Sequence, residues 1–166
     1  MYDQIGGGFH RYSTDAKWLV PHFEKMLYDN GMLASVYAKA CDRTGDDFYC
    51  AVAKEILDYT LREMVAEEGA FLSAQDAESN AREGESYLWT PEEMREVLSN
   101  GGMDDKDITM VLQVYGLDQG PNFRDPHHPD ELPKNVVHLV ARPDRLAAKH
   151  GLVGGAFHEK IVQANA

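Results

Sequence analysis

The sequence predicts a mainly α-helical chain, helical hairpins interrupted by one small β-hairpin. Three observations carry that expectation. From Val20 to Glu67 apolar residues recur at three- and four-residue intervals, the period of helices with one buried face. Thr90-Pro91-Glu92-Glu93 combines an N-cap hydroxyl, a proline at the first helical position and a glutamate three residues on, which is a capping box. Between these features the polar stretch Gln75 to Glu85 is flanked by Ala70-Phe71-Leu72-Ser73 and Ser86-Tyr87-Leu88-Trp89, two short extended arms that read as a small β-hairpin or a long ordered loop.

Taken in order, Val20 to Ala40 predicts the first helix, with Phe23, Met26, Leu33, Val36, Tyr37 and Ala40 within about 140° of arc. Asp42 to Asp46 reads as a helix-to-helix turn. A second helix is expected to about Glu67, with Phe48, Val52, Ile56 and Tyr59 inward and Gly69 as a left-handed stop. The pair forms an antiparallel αα-hairpin. Beyond the capping box, Met94, Val97 and Leu98 mark a short helix, and Ile108, Val111, Leu112 and Tyr115 mark another near Asp104 to Tyr115. Residues 118–135 read as a surface loop, Val136 to Val140 as a short strand, Pro143 to His150 as one or two helical turns, and 151–166 as a disordered tail.

With 166 residues, one domain is expected, burying roughly 70% of its extended-chain surface. The 16 basic and 28 acidic residues give a formal charge of -12, which disfavours a nucleic-acid partner. A hydrophobic fraction of 43% argues against disorder, and no apolar run approaches the roughly 20 residues a membrane helix needs. The start, Met1-Tyr2-Asp3-Gln4, lacks a basic and then apolar leader pattern, so a cytoplasmic location is expected. Cys41 and Cys50, nine apart and without zinc-ligand spacing, read as small buried or half-buried thiols.

Candidate chemistry falls in three places. On the expected first helix His22, Lys25 and Asp29 share an arc of about 60° bordering the apolar stripe, while Glu24 and Tyr28 lie elsewhere on the wheel. Such a trio supplies an acid, a base and an orienting charge, or equally a structural polar network. Upstream, Gly6-Gly7-Gly8-Phe9-His10-Arg11-Tyr12 joins permissive backbone to a candidate general base, a bidentate cation and a phenol, or is simply a tight turn. It lacks the spacing of the nucleotide-binding glycine motifs. The third place is Gln75-Asp76-Ala77-Glu78 with Glu83 and Glu85, bracketed by Phe71, Tyr87 and Trp89. Carboxylates beside aromatic faces suit sugar chemistry, and a solvated acidic loop is the plainer reading. His127-His128 are adjacent in a loop without metal-binding spacing, so neither metal nor cofactor is expected.

Two runs, Tyr2-Asp3-Gln4-Ile5-Gly6-Gly7-Gly8-Phe9-His10-Arg11-Tyr12-Ser13 and Trp18-Leu19-Val20-Pro21-His22-Phe23-Glu24-Lys25-Met26-Leu27-Tyr28-Asp29, closely resemble the YyaL or spermatogenesis-associated-protein-20-like family of thioredoxin-domain-containing proteins. The likeness continues through Phe71 to Ser79 and Glu83 to Thr90, and more loosely at Asn122-Phe123 and Asn135 to Leu139. It implies part of an (α/α)6 toroid of the six-hairpin glycosidase and N-acylglucosamine 2-epimerase type, without the thioredoxin-like portion, so no redox activity is carried over from it. In such toroids inner-helix ends line a central cavity. The chain departs from the family at Ala70, usually Gly, at Gln75, usually Glu, and at Glu78, usually Asp. Loss of the carboxylate at Gln75 weakens any two-acid scheme that includes it.

The expected function is a carbohydrate-directed, glycosidase- or epimerase-like fragment. Asp76, Glu78, His22, His10 and Asp29 are its candidate acid/base groups, and Arg11, Tyr12, Trp18, Lys25, Tyr28, Tyr87 and Trp89 its candidate contacts to a small, sugar-like ligand. The alternative is a non-catalytic helical scaffold or ligand-binding module. An incomplete toroid leaves apolar faces open, so a homo-oligomer is expected.

Overall fold

A computed structural model describes residues 1–152, 160–161 and 163–164. It is mainly helical with small antiparallel β pairings, and it divides into two compact units, Met1–Ser86 and Tyr87–Ala166.

The first unit is built on a helical hairpin. Helix α1, Leu27–Thr44, ends at Gly45, whose φ of 65° lets its N–H reach the Cys41 carbonyl at 2.9 Å. Helix α2, Asp47–Glu63, starts under the Asp46 side chain, which accepts the Phe48 N–H at 3.0 Å. Ala34, Val52 and Ile56 form the centre between them, with Tyr2, Phe9, Leu33 and Tyr37 packed around it. Val36 and Phe48, expected inside, are instead exposed: α1 turns its Leu33, Ala34 and Tyr37 side toward Val52 and Ile56, and Phe48 stands in the first turn of α2, before that packing begins.

The first helix starts seven residues later than its apolar period suggests. Residues 20–26 are extended, and their backbone groups are satisfied across strands instead of along a helix. The His22 N–H donates to the Tyr12 carbonyl at 2.8 Å, and the Glu24 carbonyl accepts from the Arg11 N–H at 3.1 Å. Strand β1, Lys25–Met26, pairs antiparallel with β2, Ala74–Gln75, setting Lys25 opposite Gln75. The second helix likewise stops at Glu63, short of Glu67, and Gly69 serves the following turn. A small hairpin follows Ala70 but not with the expected arms: β3, Glu78–Ser79, pairs with β4, Arg82–Glu83, inside the stretch expected to turn, while Phe71 bridges to Val65 and the arm 86–89 does not return to 70–73.

Cys41 and Cys50, expected as thiols, are joined in a disulfide with Cα atoms 4.9 Å apart. Spacing in sequence is uninformative here. The pairing follows from Cys41 lying in the last turn of α1 and Cys50 in the first turn of α2. The bond closes a loop of about ten residues, so Cys41→Ser with Cys50→Ser is expected to cost about 3 kcal/mol, read from the urea midpoint of oxidised and doubly substituted chains.

In the second unit, strand β5, Leu88–Trp89, pairs with a later strand, and the capping box before helix α3, Pro91–Asn100, forms as the sequence implies. Glu93 N–H donates to the Thr90 hydroxyl at 3.1 Å, and Thr90 N–H donates to the Glu93 carboxylate at 2.7 Å. Helix α4, Asp105–Val114, buries Ile108, Val111 and Leu112, and Tyr115 beyond its end is sealed as well. Residues 118–135 are largely loop, tied by the Phe123–Lys134 bridge. The strand expected over 136–140 is shorter and earlier: β6, Asn135–Val136, pairs with β5. The residues after it serve α4, since Val140 N–H reaches the Val114 carbonyl and thus occupies a free helix-end acceptor. Helix α5 spans Pro143–Lys149. Of the expected disordered tail, residues 153–159, 162 and 165–166 lie outside the described residues. Within the described ones, Leu152 N–H bonds the Ala147 carbonyl and Lys160 pairs with Asp107. No helix among the described residues is long and apolar enough to cross a membrane.

Candidate functional site

Side chains alternate along an extended segment, and this period of two sorts the candidate residues. Phe23 and Lys25 are buried, whereas His22 and Glu24 are only partly covered. His22, Lys25 and Asp29 therefore do not share one helical arc: His22 and Lys25 precede the helix, and Asp29 lies in its first turn.

The inward set is a polar knot. Lys25 is 1% exposed, and its ammonium donates to Asp3 Oδ2 at 2.7 Å and to the Gly7 carbonyl at 2.8 Å, with the Tyr59 ring centre 4.3 Å away. Asp3 Oδ1 accepts the N–H groups of Ile5 and Gly6, each at 3.0 Å. Burial opposes ionisation of Asp3, but the Lys25 charge and these hydrogen bonds outweigh it and hold the carboxyl below its ordinary range. Burial likewise pushes the Lys25 ammonium down, with Asp3 opposing. Asn30, fully buried, accepts the Phe9 N–H at 2.7 Å and donates to the Phe9 and Met26 carbonyls. Tyr59 OH donates to Gln75 Oε1 at 2.6 Å. Asp3, Asn30 and Tyr59 were not among the sequence-derived candidates. The repeated glycines were the available signal, because Gly8 lies so close to the Tyr59 ring that a Cβ would sit 2.4 Å from Cδ1.

His10 joins this knot. Its Nδ1 lies 2.8 Å from the Phe23 carbonyl, and the two rings meet edge to face. Burial first, and then the Lys25 charge, push its pKa down to about 4 from 6.5. The folded chain thus binds fewer protons at His10 than the unfolded chain between these values. The stabilisation is complete above pH 6.5 and is lost as pH falls toward 4, by about 3 kcal/mol. Urea unfolding at pH 7 and pH 4.5 is expected to show this loss, and His10→Gln is expected to flatten the slope.

The outward set forms an open shelf. Arg11 Nη1 donates to Glu24 Oε2 at 2.9 Å, and Tyr28 stands beside the same guanidinium. His22 stacks on Tyr12 with ring centres 5.0 Å apart and planes within 10°. Its Nδ1 is enclosed, has no hydrogen-bond partner among the described residues, and lies 3.9 Å from Glu24 Oε2. Beside the shelf, Asp15 Oδ1 accepts from the N–H groups of Leu19 and Val20 at 2.8 and 2.9 Å and from the Ser13 hydroxyl at 3.1 Å, and Oδ2 accepts from Lys17 N–H. This locked turn displays Trp18, 75% exposed and held at a φ of 57° that bulky residues seldom adopt.

The acidic turn meets the same strand at another point. Gly84, with φ of 74°, packs on Phe23, where a Cβ would lie 2.4 Å from the ring. Asp76 and Glu78 are exposed, and Asp76 Oδ1 accepts the Glu78 N–H at 3.0 Å. Asp29 is partly covered and exerts its charge on the N-terminal ammonium. Tyr87 and Trp89 belong to the second unit. His128 Nδ1 lies 2.9 Å from Asp125 Oδ2, and no group of three metal-ligating side chains is gathered among the described residues.

The architecture defines this chain as a mainly α-helical segment whose polar knot and open shelf are carried on one short extended stretch. No family model matches it. It is 39% identical to spermatogenesis-associated protein 20 of Mus musculus over 92% of this chain and 21% of that protein, and 40% identical to the Homo sapiens protein over 90% and 21%. An uncharacterized protein of Caenorhabditis elegans is 32% identical over 99% of this chain and 24% of its own length. The chain is related to the spermatogenesis-associated protein 20 family, and it spans about a fifth of the length of the curated relatives it matches.

Proposed function

We propose that the first unit is a binding module for a small, polyhydroxylated ligand of the sugar class, received on the shelf of Arg11, Tyr12, His22, Glu24 and Tyr28. The observation that carries this reading is the enclosed His22 Nδ1, without a hydrogen-bond partner among the described residues, beside an accessible guanidinium and carboxylate. An unpaired enclosed nitrogen costs about 1–3 kcal/mol, which a ligand hydroxyl recovers when the Tyr12–His22 stack shifts to admit it. Arg11 and Glu24 offer donors and an acceptor for neighbouring hydroxyls, and the exposed phenol of Tyr12 and indole of Trp18 offer apolar faces to a sugar ring. Titration of the chain with neutral hexoses and N-acylhexosamines, followed by amide NMR shifts, tests this. Shifts confined to residues 11–24, with affinity reduced about tenfold or more in Tyr12→Ala and His22→Ala, are expected; no response in that segment rejects the reading.

A catalytic reading, of glycosidase or epimerase type, is favoured by one observation: Gly84 anchors the turn of Asp76 and Glu78 on Phe23, within the segment that carries His22 and Glu24. Turnover of glycosides or N-acylhexosamines that vanishes in Asp76→Asn would support it. We further read the chain as an early part of an (α/α)6 toroid that self-associates, for which the exposed Met32 and Val36 on α1 and Leu57 and Leu61 on α2 supply the contact surface. A strictly monomeric particle in light scattering at micromolar concentration would remove that idea.

A further inference from the structure

We propose that Cys41–Cys50 is a reversible thiol–disulfide exchange site at the tip of the α1–α2 hairpin, opened preferentially by a dithiol without extra negative charge. Three features lead there. Both cysteines are half-buried, and every residue from Asp42 to Phe48 between them is exposed, so a small reagent can approach the bond.

The hairpin also has packing and helix stops of its own besides the bond. On α1 the central side chains begin at Ala34, about two helical turns or roughly 10 Å from Cys41, and on α2 Val52, two residues beyond Cys50, packs with Ala34 and Ile56. Each helix end beside the bond has its own stop: Gly45 N–H on the Cys41 carbonyl for α1, and the Asp46 carboxylate on Phe48 N–H for α2. Opening the bond leaves these backbone contacts in place and removes a tether.

Finally, the rim selects by charge. Within the loop that the bond closes, Asp42, Asp46 and Asp47 are exposed and Arg43 is the one basic residue. An attacking thiolate is an anion already, and a reagent with further carboxylates meets added repulsion that salt relieves. In the exchange, the thiolate of the dithiol attacks one sulfur, the S–S electron pair leaves on the other, and a mixed disulfide forms. The second thiol of the reagent then attacks that mixed disulfide, releasing the second cysteine of the chain. Both cysteines take up protons at neutral pH, the chain gains two electrons, and the reagent is oxidised to a cyclic disulfide. Cys50 Sγ stands 3.5 Å from the Asp46 carbonyl, which is an acceptor ready for the freed S–H.

The test uses the native chain at neutral pH without denaturant. Iodoacetamide followed by intact mass is expected to give no adduct before reduction and two adducts after dithiothreitol, with the helical circular dichroism retained and reclosure on adding oxidised dithiothreitol. Amide exchange is expected to accelerate over 41–50 by local opening, about tenfold or more beyond the change over 52–59, which should follow only the global loss read from the urea midpoint. In low salt, glutathione at equal thiol concentration is expected to open the bond about fivefold more slowly or worse, the gap narrowing in roughly 0.5 M NaCl. Free thiols in the unreduced chain, opening only under denaturant, loss of helix on opening, or equal rates for the two reagents would each overturn the proposal. Cys41→Ser with Cys50→Ser is expected to reproduce the exchange pattern of the reduced chain, and failure of that variant to fold would equally count against a separable tether.

Discussion

Lys25→Met is expected to lower the unfolding free energy by about 3–5 kcal/mol, because it strands the Asp3 carboxylate in a site closed to water. Two ends of one ion pair are buried together here, and what matters is the difference between removing one and removing both. Methionine approximates the lysine stem, so little of the loss comes from an emptied volume. Adding Asp3→Asn to Lys25→Met is expected to return part of the stability, since the amide still accepts the Ile5 and Gly6 N–H groups without bearing a charge. Urea midpoints of the two single variants and the double variant give the coupling between the positions. A single variant within about 1 kcal/mol of the parent would mean that water reaches the pair.

Gly8→Ala is expected to cost about 3–4 kcal/mol, the sum of a left-handed backbone penalty and an overpacked contact. The φ of 73° disfavours any side chain, and the new methyl would press on the Tyr59 ring at 2.4 Å, moving the ring that lies against Lys25. Gly45→Ala separates these contributions. Its φ is 65° but nothing lies within 4 Å of the added carbon, so only the conformational part, about 1–2 kcal/mol, should appear. Equal losses at the two positions in thermal or urea unfolding would show that the Tyr59 contact contributes nothing.

Most of the helical architecture was legible, since period and capping are local. Thr90 to Glu93 specified its capping box without tertiary help, and Ile108, Val111 and Leu112 named their own buried face. The beginning of α1 was not legible, because residues 20–26 carry a helical apolar period while their hydrogen bonds go to residues distant in the chain, Tyr12, Arg11 and Gln75. That misplacement reorders the site: wheel geometry groups His22 with Lys25, whereas strand alternation sends them to opposite sides. Asp3 was invisible for a related reason, since an acidic residue near the start of the chain looks solvated until its partner, twenty-two positions on, is known to be buried. The disulfide needed two helix ends to be placed within a residue or two before its cysteines could be seen to meet.

The Asp3–Lys25 contact also changes how the segment before α1 should be regarded. Rich in glycine and without a helix among its described residues, this segment nonetheless carries the counter-ion for a cation in the interior. Deleting residues 1–5 would therefore act like a core deletion, while a cut in the 118–135 loop would leave every bond of this ion pair untouched.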